Sequence, residues 1–253
     1  MIKRKNMEGY RFITNEGYEV EIIKYDSNRR VEYRFIDNEC TGVCQLIRLQ
    51  KGKISNPFHK SQLEIGFIGV GEYTKVQNRK RYETWSGMLE RCYNPKYHAK
   101  EKSYKDCTVC EEWHNFQNFA KWYDENYYEV KGEQMDLDKD ILVKGNKVYS
   151  PETCIFVPKL INSFTNKRQN LRGDLPMGVT CKSDNNKKYI ARCGNPISEK
   201  REYLGVFENP NDAFYAYKLR KENNAKILAD YYKDKIPQKL HETLYSYCVS
   251  IDD

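Results

Sequence analysis

MDLDKDILVKGNKVYSPETCIFVPKLINSFTN, residues 135–166, is the stretch whose reading decides what kind of chain this is. Asp136, Asp138 and Asp140 alternate, so on a strand the three carboxylates share one face and are able to hold a divalent cation. A calcium-loop reading fails, because Ile141 stands where the loop needs glycine and Lys147 where it needs a bidentate glutamate. The plainer reading is that these acids are ion-pair partners for Lys139 and Lys144 in a hairpin.

Upstream, RYETWSGMLERCY sets Tyr82, Trp85, Met88, Leu89 and Cys92 at helical spacing. YKDCTVCEEW reads as a short strand and turn, and NFQNFAKWYDENYY as a second helix with Phe116, Phe119, Ala120 and Tyr123 on one side. Cys107 and Cys110 have the two-residue spacing that zinc favours, and Cys92 with Cys154 would complete an all-cysteine structural site. Buried free thiols are the alternative. Nine cysteines, with no signal-peptide pattern at the N-terminus, suit a reducing compartment better than a disulfide framework.

Toward the N-terminus, YEVEIIKYD, RVEYRFID and VCQLIRL alternate in the strand period between polar turns, which predicts a small β-barrel or sandwich ending at GFIGVGEY. Its Lys24, Arg29, Arg30 and Arg34 offer a second contact surface for nucleic acid or protein. Toward the C-terminus, GVTCK, KKYIARC and EYLGVF are three short alternating strands. A helix follows them, capped by Asn209 with Pro210 in its first turn. The predicted organisation is α+β and multidomain: a β-rich module over 1–74, a central domain over 75–170 and a sheet-plus-helix domain over 171–253.

Lys and Arg exceed Asp and Glu by seven charges and the pI is about 8.8, a moderate excess that suits a polyanionic partner without requiring one. Its grouping near tyrosines favours a phosphate backbone over a uniformly solvated surface. No run approaches the roughly 18 apolar residues of a membrane span, so a cytoplasmic protein without a membrane partner is expected.

The segment from Tyr82 to Asn166, with WSGMLERCYNPKY, YKDCTVCEEWHNFQNF, LDKDIL and KVYSPETCIFVPKLIN, resembles phage and prophage HNH homing-endonuclease-like proteins. The resemblance implies a ββα metal site. Asp138 takes the place of the metal-ligating aspartate and Lys139 that of the histidine that activates water. Thr153 takes the place of the central asparagine, and Asn162 or Asn166 that of the final ligand. A lysine, with an ordinary pKa near about 10.4, is protonated at neutral pH and cannot act as that base unless it is strongly desolvated. His98 and His114 lie in the same section, but nothing in their spacing brings them to the site.

MGVTCKSDNNKKYIARC followed by REYLGVFENPNDAFYAYKL resembles the DNA-binding domain of plant ethylene-response factors. That resemblance implies a three-stranded sheet laid in the DNA major groove and backed by a helix. Period two independently places Val179, Cys181, Tyr189, Ala191, Cys193, Leu204 and Val206 against Ala213, Ala216 and Tyr217. The outer face then carries Thr180, Lys182, Ile190, Arg192, Arg201 and Tyr203. Arg192 and Arg201 are the base-reading candidates, and Lys182 and Lys188 the backbone ones.

Three functions are therefore expected as alternatives. The first is a double-stranded-DNA-binding protein of a phage or mobile element on an HNH-like frame with a degenerate centre, acting as a regulator or an inhibitor of host defence. The second is an active endonuclease using Mg, Asp138 and Asn162 with a substitute base. The third is a protein that binds a host nucleoprotein complex directly.

Overall fold

The computed structural model describes residues 6–166, 175–181 and 188–252. Among the expected site residues only Lys182 lies outside them. The chain forms two compact units, one of residues 1–105 and 109–121 and the other of 106–108 and 122–253.

The first unit opens with β1 (Arg11–Ile13), β2 (Glu19–Ser27), β3 (Arg30–Phe35) and β4 (Thr41–Cys44), an antiparallel meander in that order. It is an open sheet, not the barrel that the strand count suggested. The second half of VCQLIRL, expected as strand, is the helical turn α1 (Leu46–Gln50). Leu46 and Leu49, three apart, drop onto Val20, Ile22, Val31 and Phe35 and close the apolar face that a further strand would have covered. On this sheet Lys24 lies 3.8 Å from both Asp26 and Glu32, Arg30 lies 3.1 Å from Asp26, and Arg34 lies 3.4 Å from Glu21. Three of the four cations expected to form a contact surface are thus already neutralised by neighbours.

The unit continues with α2 (Arg79–Tyr93), α3 (Pro95–Lys100), a 3₁₀ turn (Lys102–Tyr104) and a second such turn (Glu111–His114) that leads into α4 (Phe116–Asn126), whose residues from Trp122 onward belong to the second unit. The α2 spacing does what periodicity predicts, for Trp85, Met88, Leu89 and Cys92 are all buried. The Trp85 indole N–H donates to the Trp113 carbonyl at 2.6 Å, and Trp113 meets Phe119 edge to face at 5.1 Å.

In the second unit β6 (Met135–Asp138) pairs antiparallel with β8 (Ile155–Pro158), and α5 (Lys159–Thr165) follows directly. Between them β7 (Val148–Tyr149) pairs with β5 (Thr108–Val109), with the Thr108 N–H donating to the Lys147 carbonyl at 2.9 Å. Phe156 of β8 is enclosed by Trp122, Tyr123 and Tyr127, with ring centroids 5.5, 4.9 and 5.1 Å away.

The C-terminal sheet has the order β11 (Arg201–Phe207), β10 (Tyr189–Gly194), β9 (Val179–Cys181), and is antiparallel throughout. Behind it runs α6 (Pro210–Tyr232), started as expected by the Asn209 side chain accepting from the Asp212 N–H, and α7 (Gln238–Tyr245) turns back on it. At 23 residues α6 is about 34 Å long. Its first half buries Ala213, Phe214 and Tyr217 against Val179, Ala191 and Cys193. Its second half buries Ala225, Leu228, Ala229 and Tyr232 with Ile155, Val157, Ile161 and Phe164 of the β8–α5 segment. One rod thus carries both candidate sites. Among the described residues no helix is long and apolar enough to cross a membrane.

Candidate functional sites

The hairpin site is built where β6 runs out. The strand ends at Asp138, so Asp140 lies in the following turn and the three aspartates do not share a face as period two predicted. Each has a separate task. Asp136 accepts from the side-chain amides of Gln134 and Asn162, both at 3.0 Å. Asp138 Oδ1 accepts the backbone N–H groups of Asp140 at 2.8 Å and Ile141 at 2.7 Å, which makes the carboxylate the brace of the turn. Asp140 Oδ2 accepts from Lys139 Nζ at 3.1 Å. Asn162 therefore sits with Asp136 instead of completing a shell around Asp138. Thr153 donates to the Val148 carbonyl at 2.9 Å and lies 3.1 Å from the Ser150 hydroxyl, so it ties the loop shut.

Lys139 is only 7% exposed. Its ammonium lies 5.8 Å from the Tyr149 ring centroid, and Asn146 Nδ2 fixes its backbone by donating to the Lys139 carbonyl at 2.7 Å. Burial works against its charge, but Asp140, with Cys107 and Asp138, outweighs burial and holds the ammonium above the ordinary lysine range. Desolvation therefore does not release a base here. Asp138 moves the other way from a usual carboxylate: burial, and then the nearby charge of Asp140, push it up to about 6 against the pull of its two backbone hydrogen bonds. Tyr149, Asn146 and Gln134 were missed in the sequence. Gln134 lies two residues from Asp136, and Asn146 and Tyr149 lie seven and ten residues from Lys139, spacings that share no periodicity.

The four cysteines proposed for zinc divide between the units, Cys92 and Cys110 in the first, Cys107 and Cys154 in the second. Cys92, Cys107 and Cys154 are buried and Cys110 half-buried, and burial raises the Cys107 thiol above its ordinary value despite Lys139 and Lys147. Among the described residues no three His, Cys, Asp or Glu side chains gather as a metal site. His98 and His114 are held elsewhere, within 3.0 and 3.2 Å of the Arg91 and Val109 carbonyls.

The second candidate is the outer face of the β9–β11 sheet. Cross-strand register sets Ile190 between Thr180 and Val206, and Arg192 opposite Tyr203, with Arg201 opposite Gly194 one step further along. Thr180, Arg192, Arg201 and Tyr203 are exposed, Tyr203 to 61%. Neither guanidinium has an ion-pair partner among the described residues. Lys188 lies 3.3 Å from Glu208 on the same surface.

Three residues depart from the alternation. Val206 faces out and Phe207 packs inward, because the register slips between Ala191 and Arg192, leaving Leu204 as an extra residue in β11. Gly205, at φ +133°, absorbs the bulge. Cys181, expected on the inner side, is instead exposed at the end of β9. The inner side is fixed by Gly178, at φ +78°, where any Cβ would run into the Tyr217 ring. It is fixed too by a two-point Arg220–Glu202 ion pair, whose second contact, Nη2 to Oε1, is 2.7 Å.

Comparison with protein families, curated proteins and solved structures gives no match for this chain.

Proposed function

We propose that this protein binds double-stranded DNA through the outer face of the β9–β11 sheet and does not hydrolyse it. In this reading it serves a phage or mobile element in the host cytoplasm as a regulator or an inhibitor of host defence. The observation that carries the reading is the pairing of Arg192 with Tyr203 beside Arg201 on one exposed strand surface, with no carboxylate among the described residues neutralising either guanidinium. Arginine presents the fork of donors that matches guanine edges, and a two- or three-stranded ribbon fits the major groove. Ile190, Val206 and the Thr180 methyl add apolar contacts of the kind that meet thymine methyl groups.

The contacts within the hairpin support the absence of hydrolysis in this reading. Lys139 stays protonated, Asp138 is spent on a turn, and Asn162 is spent on Asp136. An active enzyme would need a base that these contacts do not provide.

Incubation with supercoiled plasmid and Mg²⁺ or Mn²⁺, beside Asp138→Ala, tests the reading. Retarded migration of intact supercoiled DNA is expected from both proteins. Nicking by the wild type that Asp138→Ala abolishes would replace this reading with the endonuclease. Failure to retard any DNA, with a host nucleoprotein complex co-purifying after nuclease treatment, would replace it with direct protein binding.

A further inference from the structure

In the first unit, basic residues fall into two electrostatic classes. Those on the β1–β4 sheet are compensated: Arg11, Lys24, Arg30 and Arg34 each have a carboxylate on a neighbouring residue or strand. The short run of α3 and the 3₁₀ turn after it is the opposite case. Lys96, Lys100, Lys102 and Lys105 are all exposed, and none has an ion-pair partner among the described residues. Only Glu101 offsets them within the run.

Local geometry keeps these lysines together. Asn94 caps α3 by accepting from the Lys96 N–H at 2.9 Å, and Lys96 and Lys100 stand one turn apart on the same helix face. Like charges at that spacing repel, so the arrangement works slightly against the helix that carries it. The Glu101 N–H closes α3 on the Tyr97 carbonyl at 2.9 Å, and Tyr97 meets Tyr104 edge to face at 5.7 Å. The two half-buried tyrosines thus fold the turn carrying Lys102 and Lys105 back against α3. The result is a compact cationic platform in which Glu101 is the one acidic residue. Flexible, uncompensated ammonium groups are suited to phosphate oxygens and carry no base-reading geometry.

We infer that Lys96, Lys100, Lys102 and Lys105 form a second, sequence-independent contact with the phosphate backbone of duplex DNA. This inference rests on the duplex-binding reading above. It places the backbone contact of the first unit on α3 and its following turn, away from the compensated sheet.

The test is a fluorescence-anisotropy titration of the full chain on a labelled random-sequence duplex at several salt concentrations. Wild type is compared with the Lys96→Gln, Lys100→Gln, Lys102→Gln, Lys105→Gln quadruple variant and with the corresponding quadruple arginine variant. Each phosphate contact adds about 0.9 to the slope of log K against log salt concentration, so the glutamine variant is expected to lower the slope by roughly 2–4. The arginine variant should keep the slope. An unchanged slope in a glutamine variant with wild-type circular dichroism overturns this inference and leaves the sheet-face reading standing. Absence of salt-dependent duplex binding by the wild type overturns both.

Discussion

Replacing Asp138 by Asn should stabilise the protein at neutral pH. The Asp138 carboxyl is held at about 6 by burial and by Asp140, about two units above its ordinary value near 3.8. At about 1.4 kcal/mol per unit, the ionised form costs up to about 3 kcal/mol of folding free energy above pH 6. The folded state binds this proton more tightly than the unfolded chain, so the group's contribution to stability is full below about pH 4, falls between about pH 4 and 6, and is flat above. An asparagine keeps an oxygen for the Asp140 and Ile141 N–H groups and carries no charge. Against this gain, the asparagine buries an Nδ2 amide donor where a carboxylate oxygen stood, which offsets about 1 kcal/mol. The net gain near pH 7.5 is therefore about 1–2 kcal/mol, or roughly 3–6 °C in Tm for a chain of this size, shrinking to nothing near pH 4. Thermal and urea unfolding at the two pH values, each with and without millimolar Mg²⁺, reads it directly. Destabilisation of Asp138→Asn near pH 7.5, or Mg²⁺ stabilising the wild type and not the variant, would refute the reasoning and make Asp138 a metal ligand.

Other outcomes follow from the same contacts. Lys139→His supplies an imidazole yet should leave supercoiled plasmid uncut, because Asn162 remains bound to Asp136; nicking above the wild-type level would show that the rest of the centre is intact. Leu228→Ala empties a fully buried position in the half of α6 that packs on Val157 and Ile161, and should cost about 2–5 kcal/mol in urea unfolding. Since α6 also backs the sheet, amide exchange in β10 should accelerate with exchange in β8; acceleration confined to one of them would show that the rod does not couple them. Gly178→Ala combines a left-handed backbone with a clash against Tyr217, so a loss of more than about 1 kcal/mol is expected, and a neutral result would mean that β9 can move away from α6.

Helices with a long apolar stripe were legible in the sequence. Trp85, Met88, Leu89 and Cys92 announced α2, and Asn209 with Pro210 announced the start of α6. The three C-terminal strands and the outward direction of Arg192, Arg201 and Tyr203 were legible too, since period two holds along β10 and, apart from Cys181 at the end of β9, up to the bulge at Leu204. Beyond it Val206 and Phe207 exchange faces, because a bulge adds a residue without any change in composition. VCQLIRL was misread as strand throughout because Leu46 and Leu49 fit a helical turn as well as an extended segment once Val20 and Phe35 lie beneath them. At the hairpin, the residue types could be read and their partners could not. Whether Lys139 is a free ammonium, a base or a buried ion pair depends on Tyr149, Asn146 and Asp140, and their convergence is a property of the loop's path.

The central claim, that the β9–β11 face grips duplex DNA, is tested most directly by one comparison. It is the affinity of the wild type and of Arg192→Ala, Arg201→Ala for a duplex selected by the wild type from a random pool, at constant salt. Each base-reading arginine is worth about 1–3 kcal/mol, so the double variant should bind that duplex at least about 30-fold more weakly and lose most of its preference over random sequence. Equal affinity and equal preference in a folded double variant would contradict the account.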